Sequence, residues 1–194
     1  MVSWTIVAVQ GRSANRTGRW RTRANALSLS RLVIAPVLAA AIAAGQPEFA
    51  TTLFALAVAT DFADGAVARR YAESSPLGGL LDHAIDATFC VLGLCAHAAA
   101  GVVPWALPAL VAAAFAQYVL DSRSLAGRPL RASRLGRWNG IAYFVAVAVP
   151  IVRDTVGWSW PGATLVWWLA AALVVSTLVS MADRALALLR LRQA

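Results

Sequence analysis

A chain of 194 residues that is 60% hydrophobic and only 13% charged is too apolar for an ordinary soluble domain. Its net charge of +8 comes from 17 basic residues, all arginine, against 9 acidic ones. Set between apolar blocks, these arginines point to an anionic lipid surface, and the absence of any nucleic-acid-binding pattern excludes nucleic acid as a partner.

Residues 1–24, MVSWTIVAVQGRSANRTGRWRTRA, form a basic arm without acids. A secretory signal places its charges ahead of its apolar run, whereas here WTIVAV comes first and the arginines follow. The arm is therefore read as cytoplasmic and lying along anionic headgroups, with a mitochondrial presequence as the alternative.

Residues 25–194 are expected to form one domain. A helix needs about 20 mostly apolar residues to cross the hydrocarbon core. Suitable blocks run Ala26–Ala44, Phe49–Ala72, Leu77–Ala100, Val103–Leu120, Trp138–Val152 (a short one) and Ala163–Ala182. The predicted fold class is an all-α integral membrane protein, a bundle of six transmembrane helices with no soluble domain and no internal repeat. Brief Gly/Pro-marked connections (AAGQPE, SSPLGG, AAGVVP) predict that sequence neighbours pack as antiparallel pairs.

Six spans put the chain ends and the even-numbered connections on one face. That face receives 16 of the 17 arginines, Arg31, Arg69, Arg70 and Arg137 among them, and only Arg153 falls opposite. The positive-inside rule then places both termini and the ARRYAESSP turn in the cytoplasm. Cys90 and Cys95, five apart and outside any CxxC spacing, read as small core residues.

The second and third spans carry four aspartates, and an ionisable side chain at membrane depth marks a functional site by default. Asp61 and Asp64 are three apart, Asp82 and Asp86 four apart, so each pair shares one helix face. The intervening turn has Ser75 as N-cap and Pro76 at the first helical position. If the two spans form an antiparallel hairpin, Asp64 faces Asp82 and Asp61 faces Asp86, in two tiers about 13 and 18 Å from the turn. Four carboxylates in a low-dielectric layer raise one another's pKa unless cations compensate them. Oxygen ligands without histidine or cysteine favour Mg²⁺ or Mn²⁺, and four suffice for two ions. Gly65, Ala68 and Gly78 leave room between the helices for a bulky ligand, and Arg69 is suited to a phosphate oxygen.

These residues, Asp61-x-x-Asp64-Gly65-x-x-Ala68-Arg69, then eight residues, then Gly78-x-x-x-Asp82-x-x-x-Asp86, resemble the signature of the CDP-alcohol phosphatidyltransferases at every position. The resemblance implies a membrane enzyme that transfers a phosphatidyl group from a CDP-linked lipid, CDP-diacylglycerol above all, to the hydroxyl of a small polar or lipid alcohol, releasing CMP. It further implies that Asp61, Asp64, Asp82 and Asp86 bind two metal ions, that Asp86 is the base, that Gly65, Ala68, Arg69 and Gly78 shape the CDP pocket, and that the enzyme is a homodimer. Two looser segments, Asn25-x-Leu27-Ser28-x-x-Arg31-x-x-x-x-Pro36 and SRLGRWNG with Gly136 and Arg137, are similar to phosphatidylglycerophosphate and cardiolipin synthases. Glycerol 3-phosphate is accordingly the expected acceptor and Arg137 a substrate contact; phosphatidylglycerol, inositol phosphate, serine and a neutral alcohol are the alternatives. His83, one residue from Asp82, is read as its hydrogen-bond partner rather than as a ligand. From another class, the rival is a cation-coupled carrier with an aspartate-lined ion path.

Overall fold

A computed structural model describes residues 23–71, 76–124 and 134–193, with side chains placed over 28–63, 79–120 and 134–190. Residues 1–22, 72–75, 125–133 and 194 lie outside the described residues, and the expected N-cap Ser75 is among them. The described regular structure is entirely helical: α1 (Arg23–Ala43), α2 (Pro47–Tyr71), α3 (Pro76–Ala99), α4 (Ala106–Ser124), α5 (Arg134–Val156) and α6 (Ala163–Gln193). Each helix falls on one of the six apolar blocks, with shifts at the ends: α1 starts three residues early, and α4 starts three residues late and runs four residues past Leu120. α5 starts four residues earlier than its apolar block, and α6 continues past Ala182 through the mixed stretch DRALALLRLRQ. Hydropathy marks where a helix is buried in lipid, while the backbone hydrogen bonds of the helix continue beyond that point.

Among the described residues, three segments are long and apolar enough to cross a membrane: Gly79–Ala99, Arg134–Val156 and Ala163–Arg190. Ser28–Ala43 and Ala106–Leu120 are shorter apolar helices. The chain is an integral membrane protein.

Three tight turns close one end of the bundle by the same device. After α1, Gly45 takes φ +65° and the Gln46 amide donates to the Ala41 carbonyl at 3.0 Å. After α3, Gly101 takes φ +74° and the Val102 amide reaches the His97 carbonyl at 2.9 Å. After α5, Gly157 takes φ +71° and the Trp158 amide reaches the Arg153 carbonyl at 3.0 Å. Each is a Schellman-type stop, in which a left-handed glycine lets the chain fold back and satisfy a carbonyl that the helix end leaves open. Pro47 then opens α2 at a position where no amide hydrogen is needed. Trp105, Trp158, Trp160 and Trp168 are exposed around this end, as expected of rings at a membrane–water interface. Arg153, the arginine that departs from the charge bias, is held here: Nε and Nη2 lie 2.7 and 2.6 Å from Asp154 Oδ1, and Nη1 donates to the Pro161 carbonyl at 3.3 Å.

The helices pack in a closed ring in the order α1, α2, α5, α6, α4, α3. The pairs joined by the glycine turns, α1–α2, α3–α4 and α5–α6, are packed as expected. The expected direct packing of α2 on α3 is not what the described residues show: α1 lies extensively against both, and it is the element that joins them. The reason is a stripe of α1, Ser28, Arg31, Ala35, Leu38 and Ala41, buried at three- and four-residue spacing, whose small members admit close neighbours. Across the ring α3 also touches α5, where Gly93 and His97, one turn apart, straddle Val147. A Cβ on Gly93 would sit 2.9 Å from Val147 Cγ1, and His97 Nε2 is 3.0 Å from the Val147 carbonyl oxygen. Cys90 is buried and Cys95 half-buried, both free thiols, in keeping with core packing.

Candidate active site

The arginine-rich ends of α1, α2 and α3 bring four charged side chains into one layer. Arg31 lies eight residues into α1, Asp61 ten residues before the end of α2, and Asp82 and Asp86 six and ten residues into α3. At 1.5 Å per residue all fall about 9–15 Å from their helix ends. Asp82 and Asp86, one turn apart, share a face of α3 that looks toward α1 and Arg31.

The guanidinium of Arg31 is the centre of this layer. Its Nη1 donates to Asp61 Oδ1 and lies 2.8 Å from Asp86 Oδ1, while Nη2 donates to Asp82 Oδ1. Ser28, one turn earlier on α1, donates its hydroxyl to the same Asp82 oxygen at 3.1 Å. Carboxylate oxygens of Asp61, Asp82 and Asp86 thereby come within 4.8 Å of one another. Burial is asymmetric: Arg31 is 1% exposed, but the Asp61, Asp82 and Asp86 side chains are 44%, 32% and 26% exposed. The cation is walled in and the carboxylates border an opening. A lone guanidinium removed from water costs several kcal/mol, so its burial depends on these acceptors, and they in turn are relieved of mutual repulsion by it.

Beyond the charged layer the core is aromatic. Phe89, three residues past Asp86 and fully buried, has its ring centroid 5.9 Å from that of Phe54 and 5.8 Å from that of Phe144. These three rings from α2, α3 and α5 make an apolar floor.

Three of the four expected metal-binding aspartates are thus brought together, but not in two separate tiers: Arg31 is long enough to gather Asp82 and Asp86, one turn apart, with Asp61. Asp64, Gly65, Ala68 and Arg69 are in helical α2 and Gly78 in α3, with side chains outside the described ones. Arg137 is exposed in the first turn of α5, and no ion pair joins it to the three aspartates among the described residues. His83 differs from expectation. It is exposed and stacked on Tyr118 of α4, centroids 5.7 Å apart and planes 25° apart, with the Arg184 guanidinium 5.1 Å from the Tyr118 centroid. One residue is about 100° of helix, which turns His83 toward α4 while Asp82 faces α1.

Arg31 reads in the sequence as one of the arginines that set topology and as part of the segment Asn25-x-Leu27-Ser28-x-x-Arg31, and neither reading puts it inside the acidic cluster. The available signal is its register: Arg31, Ala35 and Leu38 recur at helical spacing. Leu29, Leu32, Val33 and Val37 make the outer faces of α1 equally apolar, so no periodicity singled out the stripe.

The donor set suits a hard divalent cation. It consists of carboxylates from two helices, without histidine or cysteine, and it already surrounds a positive group.

The family described as CDP-alcohol phosphatidyltransferase matches residues 21–181. The chain is 31% identical over 134 residues to the CDP-diacylglycerol--glycerol-3-phosphate 3-phosphatidyltransferase of Cereibacter sphaeroides, covering 64% of this chain and 61% of that protein. It is 32% identical over 82 residues to a Mycobacterium tuberculosis protein named "Putative cardiolipin synthase", covering 42% and 39%. The match spans less than two thirds of the length of either curated relative.

Proposed function

The chain belongs to the CDP-alcohol phosphatidyltransferase family, and we propose on that premise that it transfers a phosphatidyl group from CDP-diacylglycerol to an acceptor hydroxyl in phospholipid synthesis. The acceptor oxygen forms a bond to the phosphatidyl phosphorus, the bond from that phosphorus to the bridging oxygen breaks, and CMP leaves with that oxygen. The observation that carries this reading is the convergence of Asp61, Asp82 and Asp86 on one buried cationic group at membrane depth. A membrane protein keeps such a cluster where it handles charge.

In this reading Asp61, Asp64, Asp82 and Asp86 hold two Mg²⁺ or Mn²⁺ ions. When bound, the ions neutralise the diphosphate and stabilise the departing CMP. The chain's own side chains do the rest. Asp86 takes the proton of the attacking hydroxyl, Arg69 meets a donor phosphate, and Gly65, Ala68 and Gly78 leave space for the nucleotide. Arg137 receives the acceptor at the rim. The floor of Phe54, Phe89 and Phe144 keeps water from entering behind the site. The proposed topology has six spans, with both termini and the site facing the cytoplasm across the bacterial inner membrane, and the basic arm over 1–24 lying on its surface.

Glycerol 3-phosphate is the proposed acceptor, supported by the name and 31% identity of the Cereibacter sphaeroides relative. Phosphatidylglycerol is the second reading, supported by the mycobacterial relative's name. Purified protein with CDP-diacylglycerol and each acceptor in turn decides between them through CMP release and the lipid product formed. Release that needs both Mg²⁺ or Mn²⁺ and glycerol 3-phosphate is expected; metal-independent release, or none with any acceptor, refutes the proposal. A cation-coupled carrier would instead bind metal without releasing CMP.

A further inference from the structure

The point on which the three carboxylates converge is filled by part of the protein. Arg31 Nη1 contacts both Asp61 Oδ1 and Asp86 Oδ1, and Nη2 contacts Asp82 Oδ1. A cation bound jointly by these oxygens needs the space and the electrostatic position that the guanidinium takes. From the geometry we infer that Arg31 is an intramolecular competitor of the divalent cation: it holds the acidic cluster assembled and is displaced when metal binds. This rests on the metal-dependent reading above, and it adds that metal binding exchanges one cation for another.

Three observations support the exchange. The first is charge. Among the described residues, three formal negative charges, on Asp61, Asp82 and Asp86, meet the one positive charge of Arg31, a balance that attracts a second or stronger cation. The second is access, because the carboxylates are 26–44% exposed while the guanidinium is 1% exposed. A cation therefore reaches the carboxylates from the open side without crossing the core. The third is the tether. Arg31 is a long side chain on α1, while all three acids sit on α2 and α3, so a change of the Arg31 rotamer shifts the guanidinium without moving the backbones that carry the carboxylates. Ser28, which donates to Asp82 from the turn before Arg31, keeps that carboxylate oriented throughout.

A competitor scales the apparent metal affinity by the fraction of molecules in which it leaves the site free, so removing it tightens binding, by about tenfold where only about a tenth of the sites are free. Wild type and Arg31→Gln, purified in detergent micelles, are titrated with Mn²⁺ without nucleotide, and free Mn²⁺ is followed by its paramagnetic resonance signal. Arg31→Gln is expected to bind Mn²⁺ at least about tenfold more tightly than wild type. Asp82→Asn serves as the control that locates the binding at the cluster. Equal or weaker binding by folded Arg31→Gln overturns the exchange and makes Arg31 a fixed clamp on the carboxylates. Failure of both wild type and folded Arg31→Gln to bind Mn²⁺ refutes instead the metal-dependent reading. If Arg31→Gln is not recovered folded, Arg31→Lys carries the test. It keeps the charge but loses the two-pronged contact, so its Mn²⁺ affinity must exceed wild type, and an affinity at or below wild type overturns the proposal.

Discussion

The two ends of this bundle are built on opposite principles. At the tryptophan-rich end, backbone geometry closes three turns: Gly45, Gly101 and Gly157 adopt left-handed conformations that end α1, α3 and α5 and satisfy their last carbonyls. The ion pair found there, Arg153 with Asp154, is between adjacent residues and joins no two helices. At the arginine-rich end, long-range charge pairs hold α1 to α2 and α3. Backbone caps have one arrangement, whereas ion pairs can exchange partners. The difference separates two properties: stability resides in the fixed end, and the proposed chemistry in the end held by ion pairs.

Substitutions sharpen or break that division. The largest effect is expected from Asp82→Asn, which removes a charge shared by Arg31 and Ser28: CMP release should fall to background and Mn²⁺ binding weaken with it. A purified Asp82→Asn protein with full turnover would show that the cluster is only structural. Next comes Asp86→Asn, which keeps shape and one coordinating oxygen but loses the proton acceptor. It should lose at least about a hundredfold in turnover while retaining CDP-diacylglycerol binding, measured by single-turnover kinetics beside a binding titration. Turnover within a factor of a few of wild type would move the base elsewhere.

At the other end the readout should switch from activity to stability. Gly101→Ala forces an L residue to φ +74° and should destabilise by about 1–2 kcal/mol, seen as a lower thermal midpoint in detergent with specific activity unchanged. A loss of activity per folded molecule would break the division of labour. Arg153→Ala should have the smallest effect, below about 1 kcal/mol, because its partner Asp154 is half exposed.

The aspartates were legible because ionisable residues in apolar blocks have so few innocent explanations, and helical spacing alone put Asp82 and Asp86 on one face. Helix positions were legible because lipid demands long apolar runs, though α5 and α6 extend beyond theirs. The placement of α1 between α2 and α3 was not. A helix that is apolar all round gives no sign of which face meets protein and which meets lipid, so Arg31 passed for one more arginine of the basic face. His83 was misplaced for a related reason: proximity in sequence to Asp82 suggested partnership, but the ring that receives it belongs to α4.

The three glycine turns also bear on how the protein is made. Each joins two helices that pack directly, so α1–α2, α3–α4 and α5–α6 are ready-made hairpins, and the chain can deliver them to the bilayer one after another. Asp61 arrives with the first hairpin, before the α3 that carries Asp82 and Asp86 has been synthesised. A carboxylate stranded in lipid is costly. In the folded protein its partner within the same hairpin is Arg31, on the helix that a three-residue turn joins to α2. Docking of the second hairpin then adds two acids to a cation that is waiting for them. A first hairpin inserted ahead of the second would thus supply the charge on which the second is received.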